Sequence, residues 1–425
     1  MEIPEKFVGS WICNVYQKSL RPDFSFWHEK GGEMDKMIEE AKDENSEIMK
    51  FPVIGEEEFT RTINKMKNGK ATGIDGISAE IMKFLIRDED IRNYAVKCFN
   101  QAIKEKINED WLISKTKMLP KNKRPKILEF RPIAVTVNSS KILCSILREK
   151  IKDHLKERKI RYENQYGFTK KGRPDHCLFT LDYVAARTYR WKTRKVKPLL
   201  YAFIDFKKAY DSINRERLIE VLIKYKINPH IINLIVQMYE GDKTTISLGK
   251  LKKTVEVTSG IRHGCSISTL LFKMVTFTII EEMNRSVQAY QTGAYKGNSL
   301  WLADDAVLIA DSEETLEKAF EILESEGKKN GLELSEEKTK IVKIRGKLEG
   351  KTHIGKYKIE KEAKYLGIQV GGNGSDIYAA ENKLLINKAE KKASELMREV
   401  KKSCDIIRVG KIIWKMMHIP AIMYG

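Results

Sequence analysis

Cysteine is scarce in this chain and never clustered. Six are spread over 425 residues, at Cys13, Cys98, Cys144, Cys177, Cys265 and Cys404. No two fall at C-x-x-C spacing and no Cys/His group has zinc-knuckle spacing, which excludes a disulfide scaffold and a zinc ribbon. The six read as reduced, mostly buried thiols of an intracellular protein, nuclear or cytoplasmic. Long apolar runs are also missing. Nothing approaches the roughly 20 residues that a membrane-crossing helix needs. The start, Met1-Glu2-Ile3-Pro4-Glu5-Lys6, is not a signal peptide, so no membrane is expected among the partners. Internal repeats and long low-complexity tracts are absent, which excludes solenoids and propellers.

Acidic charge is in deficit: 59 Asp and Glu stand against 78 Lys and Arg, a net charge of +19. The deficit is uneven. Residues 1–60 hold 7 basic and 14 acidic residues, a balance of −7, so the remainder carries +26. A basic body behind an acidic front points to a polyanionic partner, nucleic acid before an anionic membrane surface. A hydrophobic content of 42% is that of an ordinary globular protein, and the length allows more than one domain.

Punctuation divides the chain. An acidic stretch from Gly32 to Met49 reads as a charged helix. A helix is expected from Glu56 to Lys67, stopped at Asn68-Gly69. The glycine-rich run Lys70–Ile77 must be loop, and Ser78 caps a helix through Phe84. Lys115, Lys117, Lys121, Lys123, Arg124, Lys126 and Arg131, broken by three prolines, read as a basic β-hairpin. Helices follow over Ser139–Lys156, Asp175–Thr188, Arg215–Tyr225, Pro229–Tyr239 and Ser266–Met283. Strands are expected at Leu199–Asp205, on either side of Gly249, at Glu333–Ser335 and at Lys340–Ile344. A helix should start near Asp311-Ser312-Glu313 and stop at Asn330-Gly331. From Ala380 onward the pattern is helical and basic. The alternation predicts an α+β fold with a mainly antiparallel sheet and helices on one face.

Four features carry chemistry. Asp304-Asp305 lies inside the apolar run Leu300–Ala310, read as a β-hairpin with the aspartates at its turn. Asp205 ends the apolar run Leu199–Ile204. Carboxylates among apolar residues are costly unless paired, and neighbouring ones repel. Divalent cations remove both problems, and three carboxylates around two metals serve in-line nucleotidyl transfer. Adjacent strands lie about 5 Å apart, close enough to share such ions if the two segments pair. Hard carboxylate oxygens favour Mg²⁺. The second feature is Asp205-Phe206-Lys207-Lys208-Ala209-Tyr210, whose tyrosine is either core or a ring beside a nucleotide sugar. The third is Gly260-Ile261-Arg262-His263-Gly264, where glycines allow close approach to a ligand ahead of a helix. The fourth is the basic hairpin, with Lys121 a point charge and Arg131 a fork for phosphate. Taken singly, each is also an ordinary turn, loop or solvated face.

Their order is more specific. Phe-Ile-Asp-Phe-Lys-Lys-Ala-Tyr-Asp-Ser (203–212), Gly-Ile-Arg-His-Gly-Cys-Ser-Ile-Ser (260–268), Leu-Ala-Asp-Asp (302–305), Gly-Leu-Glu-Leu-Ser-Glu-Glu-Lys-Thr-Lys (331–340) and Lys-Tyr-Leu-Gly (364–367) resemble the palm motifs of reverse transcriptases. Asn68–Ile77, Phe130-Arg131-Pro132-Ile133 and Gln165-Tyr166-Gly167-Phe168 are similar to segments of non-LTR, LINE-type retrotransposons. The resemblance covers about residues 50 to 425. It implies a right-hand polymerase: an acidic extension over 1–50, fingers over 51–196, a palm of antiparallel sheet backed by helices over 197–376, and a helical thumb over 377–425 that reads as cut short.

The activity it implies is RNA-directed DNA synthesis, with an RNA template, a DNA primer, dNTPs and two Mg²⁺ ions, Mn²⁺ being the substitute. By matching position, Asp205, Asp304 and Asp305 form the metal site with the carbonyl of Phe206. Lys121 and Arg131 hold the triphosphate, and Ala209, His263 and Gly264 adjoin the nucleotide. Tyr210 is a steric gate favouring dNTPs, and Lys338 is a proton donor to pyrophosphate. Tyr365, Leu366 and Gly367 grip the primer, while Lys388, Lys391 and Lys392 hold the template–primer backbone. Several positions depart from the family pattern: His263 stands for Gln, Leu302 for an aromatic, Ile267 and Thr269 for Pro, and Ser335 for Asn. These departures leave open a catalytically silent nucleic-acid-binding remnant, and a bacterial intron or other retroelement is the remaining alternative. No endonuclease, zinc-knuckle or RNase H segment is evident, so this chain alone is not expected to nick DNA.

Overall fold

The computed structural model describes residues 52–371, apart from 121–129, 161, 163, 170–171, 191–197, 249–250, 263 and 347–349, together with 377–379, 381–384 and 387. In chain order the elements are α1 (Glu56–Asn64), α2 (Ala79–Leu85), α3 (Glu89–Lys104), β1 (Ile113–Pro120), β2 (Phe130–Thr136), α4 (Asn138–Glu157), α5 (Pro174–Arg190), β3 (Leu199–Ile204), α6 (Ala209–Ser212), α7 (Arg215–Lys224), α8 (Pro229–Glu240), β4 (Lys243–Leu248), β5 (Leu251–Glu256) and α9 (Ser268–Ser286). They continue as β6 (Tyr290–Thr292), β7 (Tyr295–Gly297), β8 (Ser299–Leu302), β9 (Asp305–Ala310), α10 (Glu313–Lys329), β10 (Lys340–Arg345), β11 (His353–Ile354), β12 (Tyr357–Glu360), β13 (Glu362–Tyr365) and β14 (Ile368–Gly371). They form two compact units, each assembled from separate stretches of chain. One takes the residues up to Phe168 with Phe206–Glu282 and Ile322–Glu333; the other takes Thr169–Asp205, Met283–Glu321 and those from Leu334.

The first unit contains a four-stranded sheet in the order β2-β1-β4-β5. The basic hairpin is real: β1 and β2 pair antiparallel from Ser114↔Thr136 to Pro120↔Phe130. β4 adds to β1 in parallel and β5 returns antiparallel. Ser78 caps α2 as its side chain predicts, its hydroxyl accepting from the Ile81 amide. In α4 the apolar residues Ile142, Ile146, Leu143, Leu147 and Ile151 recur at helical spacing and are all buried, and this stripe holds the helix in place. Phe59, Phe99 and Trp111 make a chain of rings, with centroids 5.0 and 4.7 Å apart.

The second unit is organised by a six-stranded sheet in the order β11-β12-β10-β3-β9-β8. The pairings of β3 with β9 and β10, and of β8 with β9, are antiparallel, while β10 and β12 run parallel. All six residues of β3 are buried, as a continuous apolar run in a central strand requires. The Tyr201 hydroxyl donates to the Leu181 carbonyl of α5, at 2.7 Å. Phe320 of α10 stacks on Tyr357 of β12, with centroids 4.2 Å apart. Each such apolar side chain withdrawn from water contributes about 1.5–3 kcal/mol.

The α+β class is therefore met, and the helix bounds fall within a few residues of expectation. The strand expected at Glu333–Ser335 is not formed. Leu334 makes an isolated bridge and Ser335 opens a turn instead. Its carbonyl accepts from the Thr339 amide at 2.8 Å and its hydroxyl from the Lys338 amide at 3.4 Å. A serine whose oxygens take local amides competes with a strand ladder. The four described cysteines, Cys98, Cys144, Cys177 and Cys265, are free, the last three buried. No helix among the described residues is long and apolar enough to cross a membrane. The acidic helix expected over 32–49 lies outside the described residues.

Candidate active site

The register of the second unit brings the expected carboxylates together. β3 pairs with β9 from Leu200↔Ala310 to Ile204↔Ala306. The next residue of each strand towards the same sheet edge is Asp205 and Asp305. β8 pairs with β9 up to Leu302↔Asp305, leaving Ala303-Asp304 as a two-residue turn. Asp305 thus starts β9, and Asp304 sits at the tip. Ala303 takes φ +60°, a left-handed conformation that tight hairpin turns use.

The proximity has an electrostatic consequence. The Asp305 carboxyl is pushed up to about 6, first by desolvation, then by the charges of Asp304 and Asp205. Asp205 is held at both ends of its peptide unit. Its amide donates to the Thr339 hydroxyl at 3.3 Å, and its carbonyl accepts from the Ser335 amide at 2.8 Å. Lys338, from the same turn, brings its ammonium to 3.6 Å from the Asp205 carboxylate. The turn that replaced the expected strand therefore positions a carboxylate and a cation. Ser335, which departs from the family pattern, fills this structural role.

Three clustered carboxylates that repel one another, one of them driven toward its neutral form, are a donor set suited to hard divalent cations. Among the described residues, no group of three or more acidic, His or Cys side chains converges into a ready-made cage. An Mg²⁺ ion asks for less, because it keeps several waters and takes one or two carboxylates plus substrate phosphates. The residues present fit that open arrangement.

Tyr365 lies on β13, 4% exposed, its ring 5.3 Å from that of Phe203. Burial and the adjacent Cys177 push its hydroxyl well above the ordinary tyrosine range. Leu366 and Gly367 form the turn to β14 with φ of +49° and +87°, and the glycine is exposed. Tyr365 therefore packs beneath the strand that carries Asp205, and the turn faces outward.

In the first unit, Phe206 and Ala209 are buried. The Tyr210 ring stacks on Phe272, with centroids 4.6 Å apart and planes 6° off parallel, and meets Phe168 edge-on at 6.4 Å. Gly264 has φ +84°, and a Cβ there would come within 2.9 Å of the Ala134 carbonyl on β2, so only glycine fits. Arg131 is paired with Leu119 in the β1–β2 ladder, and its side chain is not described. Lys121, His263, Lys388, Lys391 and Lys392 lie outside the described residues.

The first unit also holds a site that the motifs did not reveal. Asp242, just before β4, takes two guanidiniums: Arg215 Nη2 donates to Oδ2 at 2.9 Å and Arg262 Nε to Oδ1 at 2.8 Å. All three side chains are at least 95% buried. Burial disfavours both guanidinium charges; the net balance lowers Arg215 and raises Arg262, with Asp242 supporting each charge. Of the three, only Arg262 falls in a motif, the 260–264 loop, and nothing in the linear order points to its pairing with Asp242 20 residues away or to that of Arg215 27 residues away.

Residues 119–370 match the family described as Reverse transcriptase (RNA-dependent DNA polymerase). That is more than half of the chain, and the chain belongs to this family. Over 195 residues it is 28% identical to the Retrovirus-related Pol polyprotein from type-1 retrotransposable element R2 of Nasonia vitripennis, covering 42% of this chain and 19% of that one. Over 284 residues it is 25% identical to the Retrovirus-related Pol polyprotein from type-2 retrotransposable element R2DM of Drosophila melanogaster, covering 62% of this chain and 25% of that one. The non-LTR character read from the motifs is borne out by these relatives, of which the chain spans a quarter or less in length. A solved structure of apo telomerase from Candida tropicalis, truncated from its C-terminal domain, superposes with a TM-score of 0.47 at 16% identity, covering 71% of this chain and 60% of that one.

Proposed function

We propose that this chain is the DNA-synthesising part of a non-LTR retrotransposon protein, extending a DNA primer with dNTPs on an RNA template. The observation that carries this reading is the meeting of Asp205, Asp304 and Asp305 where β3, β8 and β9 end on the same side of the six-stranded sheet, an arrangement in which desolvation and the two neighbouring charges push the Asp305 carboxyl up. Carboxylates so arranged cost stability unless cations join them. Asp205, Asp304 and Asp305, with the Phe206 carbonyl, would hold two Mg²⁺ ions, Mn²⁺ substituting. When bound, these ions lower the barrier to nucleophilic attack by the primer 3′-hydroxyl and neutralise triphosphate charge.

The chain's own residues do the rest. Lys338 would hand a proton to the departing pyrophosphate, a role its seat beside Asp205 supports. Tyr210 presents its ring edge to the sugar and excludes a 2′-hydroxyl. Lys121 and Arg131 orient the triphosphate, with Ala209, His263 and Gly264 beside the nucleotide. The Leu366-Gly367 turn, underpinned by Tyr365, bears on the primer. Lys388, Lys391 and Lys392 neutralise backbone phosphates. In this reading 51–196 serve as fingers, 197–376 as palm and 377–425 as thumb.

The test is primer extension on a defined RNA template with purified chain. Wild type extends only with a divalent cation. Asp304→Asn loses at least about 100-fold in rate, as removal of a metal-binding carboxylate should. Extension by Asp304→Asn at the wild-type rate would defeat the proposal.

A further inference from the structure

Tyr210 sits on a helix that cannot support itself. α6 is one turn long, enters through Lys208 in the left-handed region at φ +49°, and has no side-chain cap. A single turn lies far below the length at which a helix is stable alone. Two segments brace α6: residues 330–333, whose Glu333 and Asn330 carbonyls accept from the Lys207 and Asn214 amides at 2.8 and 3.0 Å, and residues 259–261. The Ile261 amide donates to the Tyr210 carbonyl at 2.9 Å, and the Gly260 amide to the Ile213 carbonyl at 3.0 Å. The Ser259 hydroxyl donates to the Asp211 carbonyl at 3.0 Å. Contact is so close that a Cβ on Gly260, at φ +74°, would lie 2.6 Å from the Asp211 backbone.

That segment is held in turn by the buried ion cluster. Arg215 Nε donates to the Gly260 carbonyl at 2.9 Å, and Nη1 to the carbonyls of Val257 and Tyr239 at 2.7 and 2.9 Å. Asp242 anchors Arg215 and is itself fixed by Arg262, whose Nη2 donates to the carbonyls of Leu112 and Met238 at 2.8 and 2.9 Å. The cavity that Asp242 and Arg262 share with Ser114, Thr116, Thr244 and Ser259 measures about 30 Å³. That is room for a water or two. Buried ion pairs are poor sources of stability, and fixing one arrangement is among their attested uses.

We propose that the Asp242–Arg215–Arg262 cluster is a positioning device for Tyr210, and through it sets the discrimination between deoxyribonucleotides and ribonucleotides. This rests on the reading of the chain as a polymerase with Tyr210 as its gate. Its ring contacts with Phe272 and Phe168 fix its plane. The cluster fixes the backbone from which it projects. A shift of a few tenths of an ångström in that backbone moves the hydroxyl edge relative to the sugar.

The experiment is the ratio of kcat/KM for a dNTP over its rNTP, by single-nucleotide extension of a primed RNA. It compares wild type, Tyr210→Ala, Arg215→Lys and Ser259→Ala. Arg215→Lys keeps the charge and loses the fork that reaches Gly260 and Val257. Ser259→Ala removes one hydroxyl at the surface of the cluster and guards against a fold lost in the arginine variant. Tyr210→Ala is expected to cut the ratio by about 100-fold. Arg215→Lys should cut it by about 10-fold and Ser259→Ala by 2- to 5-fold, each with the rate for dNTP kept within a few-fold and the thermal midpoint of the folded variant recorded alongside. A merely structural role would lower both rates together and leave the ratio in place. A relaxed Tyr210→Ala beside Arg215→Lys and Ser259→Ala that both stay within twofold of wild type would overturn the positioning role alone. A Tyr210→Ala with unchanged ratio would overturn the gate and the positioning role with it. A wild type that incorporates neither sugar would overturn the polymerase reading beneath both.

Discussion

Lys273 shows what burial does to a single charge. It lies within α9, 6% exposed, with its ammonium 4.2 Å from the centroid of the Tyr162 ring. Desolvation, and secondarily the charge of Lys152, brings its pKa down from 10.5 to about 8. Between those values the unfolded chain binds more protons than the folded one, so stability from this site rises with pH across the window. Below about 8 the full cost of the buried ammonium is present, offset in part by the ring. Lys273→Met is therefore expected to raise the thermal midpoint at pH 7 by a few degrees, with the advantage shrinking as the pH approaches 10. A midpoint difference that stays constant with pH would contradict this. At this scale the sequence announced the carboxylates well, because acids inside apolar strands stand out. Asp242 and Arg215 did not stand out, and Arg262 only as part of a glycine-flanked loop, since what makes them unusual is a burial that only folding creates.

At the scale of elements, the β8–β9 hairpin does the positioning, and its turn is the fragile part. Ala303 holds φ +60°, where a β-branched side chain is strained by about 1–2 kcal/mol. Ala303→Val should lose that much stability in urea unfolding and also lose extension activity, because the strain is relieved by moving Asp304 and Asp305. Ala303→Gly should keep both. Equal behaviour of the two variants would show that the turn does not control the aspartates. The helices were legible where a cap or an apolar stripe marks them: Ser78 caps α2, Asn214 caps α7, and a buried apolar stripe runs along α4. α3 was not read from the sequence. Asp88 caps it, accepting from the Ile91 amide, and only Phe99 and Ile103 of its 16 residues are buried. The strand that became the 335–339 turn was misread because Ser335 supplies local acceptors that compete with a ladder. The same turn then seats Lys338 beside Asp205, a placement that its linear position does not announce.

For the molecule as a whole, charge is the dominant property. Beyond residue 60 the chain carries +26, and binding of a primed RNA should release condensed counterions. The logarithm of the association constant is expected to fall with the logarithm of salt concentration at a slope of about −4 or steeper, measured by fluorescence anisotropy. A slope near zero would argue against backbone phosphates as the main contacts. Asp304→Asn should leave this binding close to wild type, which separates the site of chemistry from the surface that holds the substrate. The division into two units built from interleaved stretches was not visible in the linear order of motifs, because chain proximity says little about which sheet a segment joins. The most direct test of the account is single-turnover incorporation of one dNTP on a primed RNA, titrated with Mg²⁺, for wild type and for the Asn variants of Asp205, Asp304 and Asp305. Strictly divalent-dependent incorporation by wild type, and loss of at least about 100-fold in each variant with the primed RNA still bound, is the predicted result. Incorporation that persists in any of the three variants at the wild-type rate would contradict it.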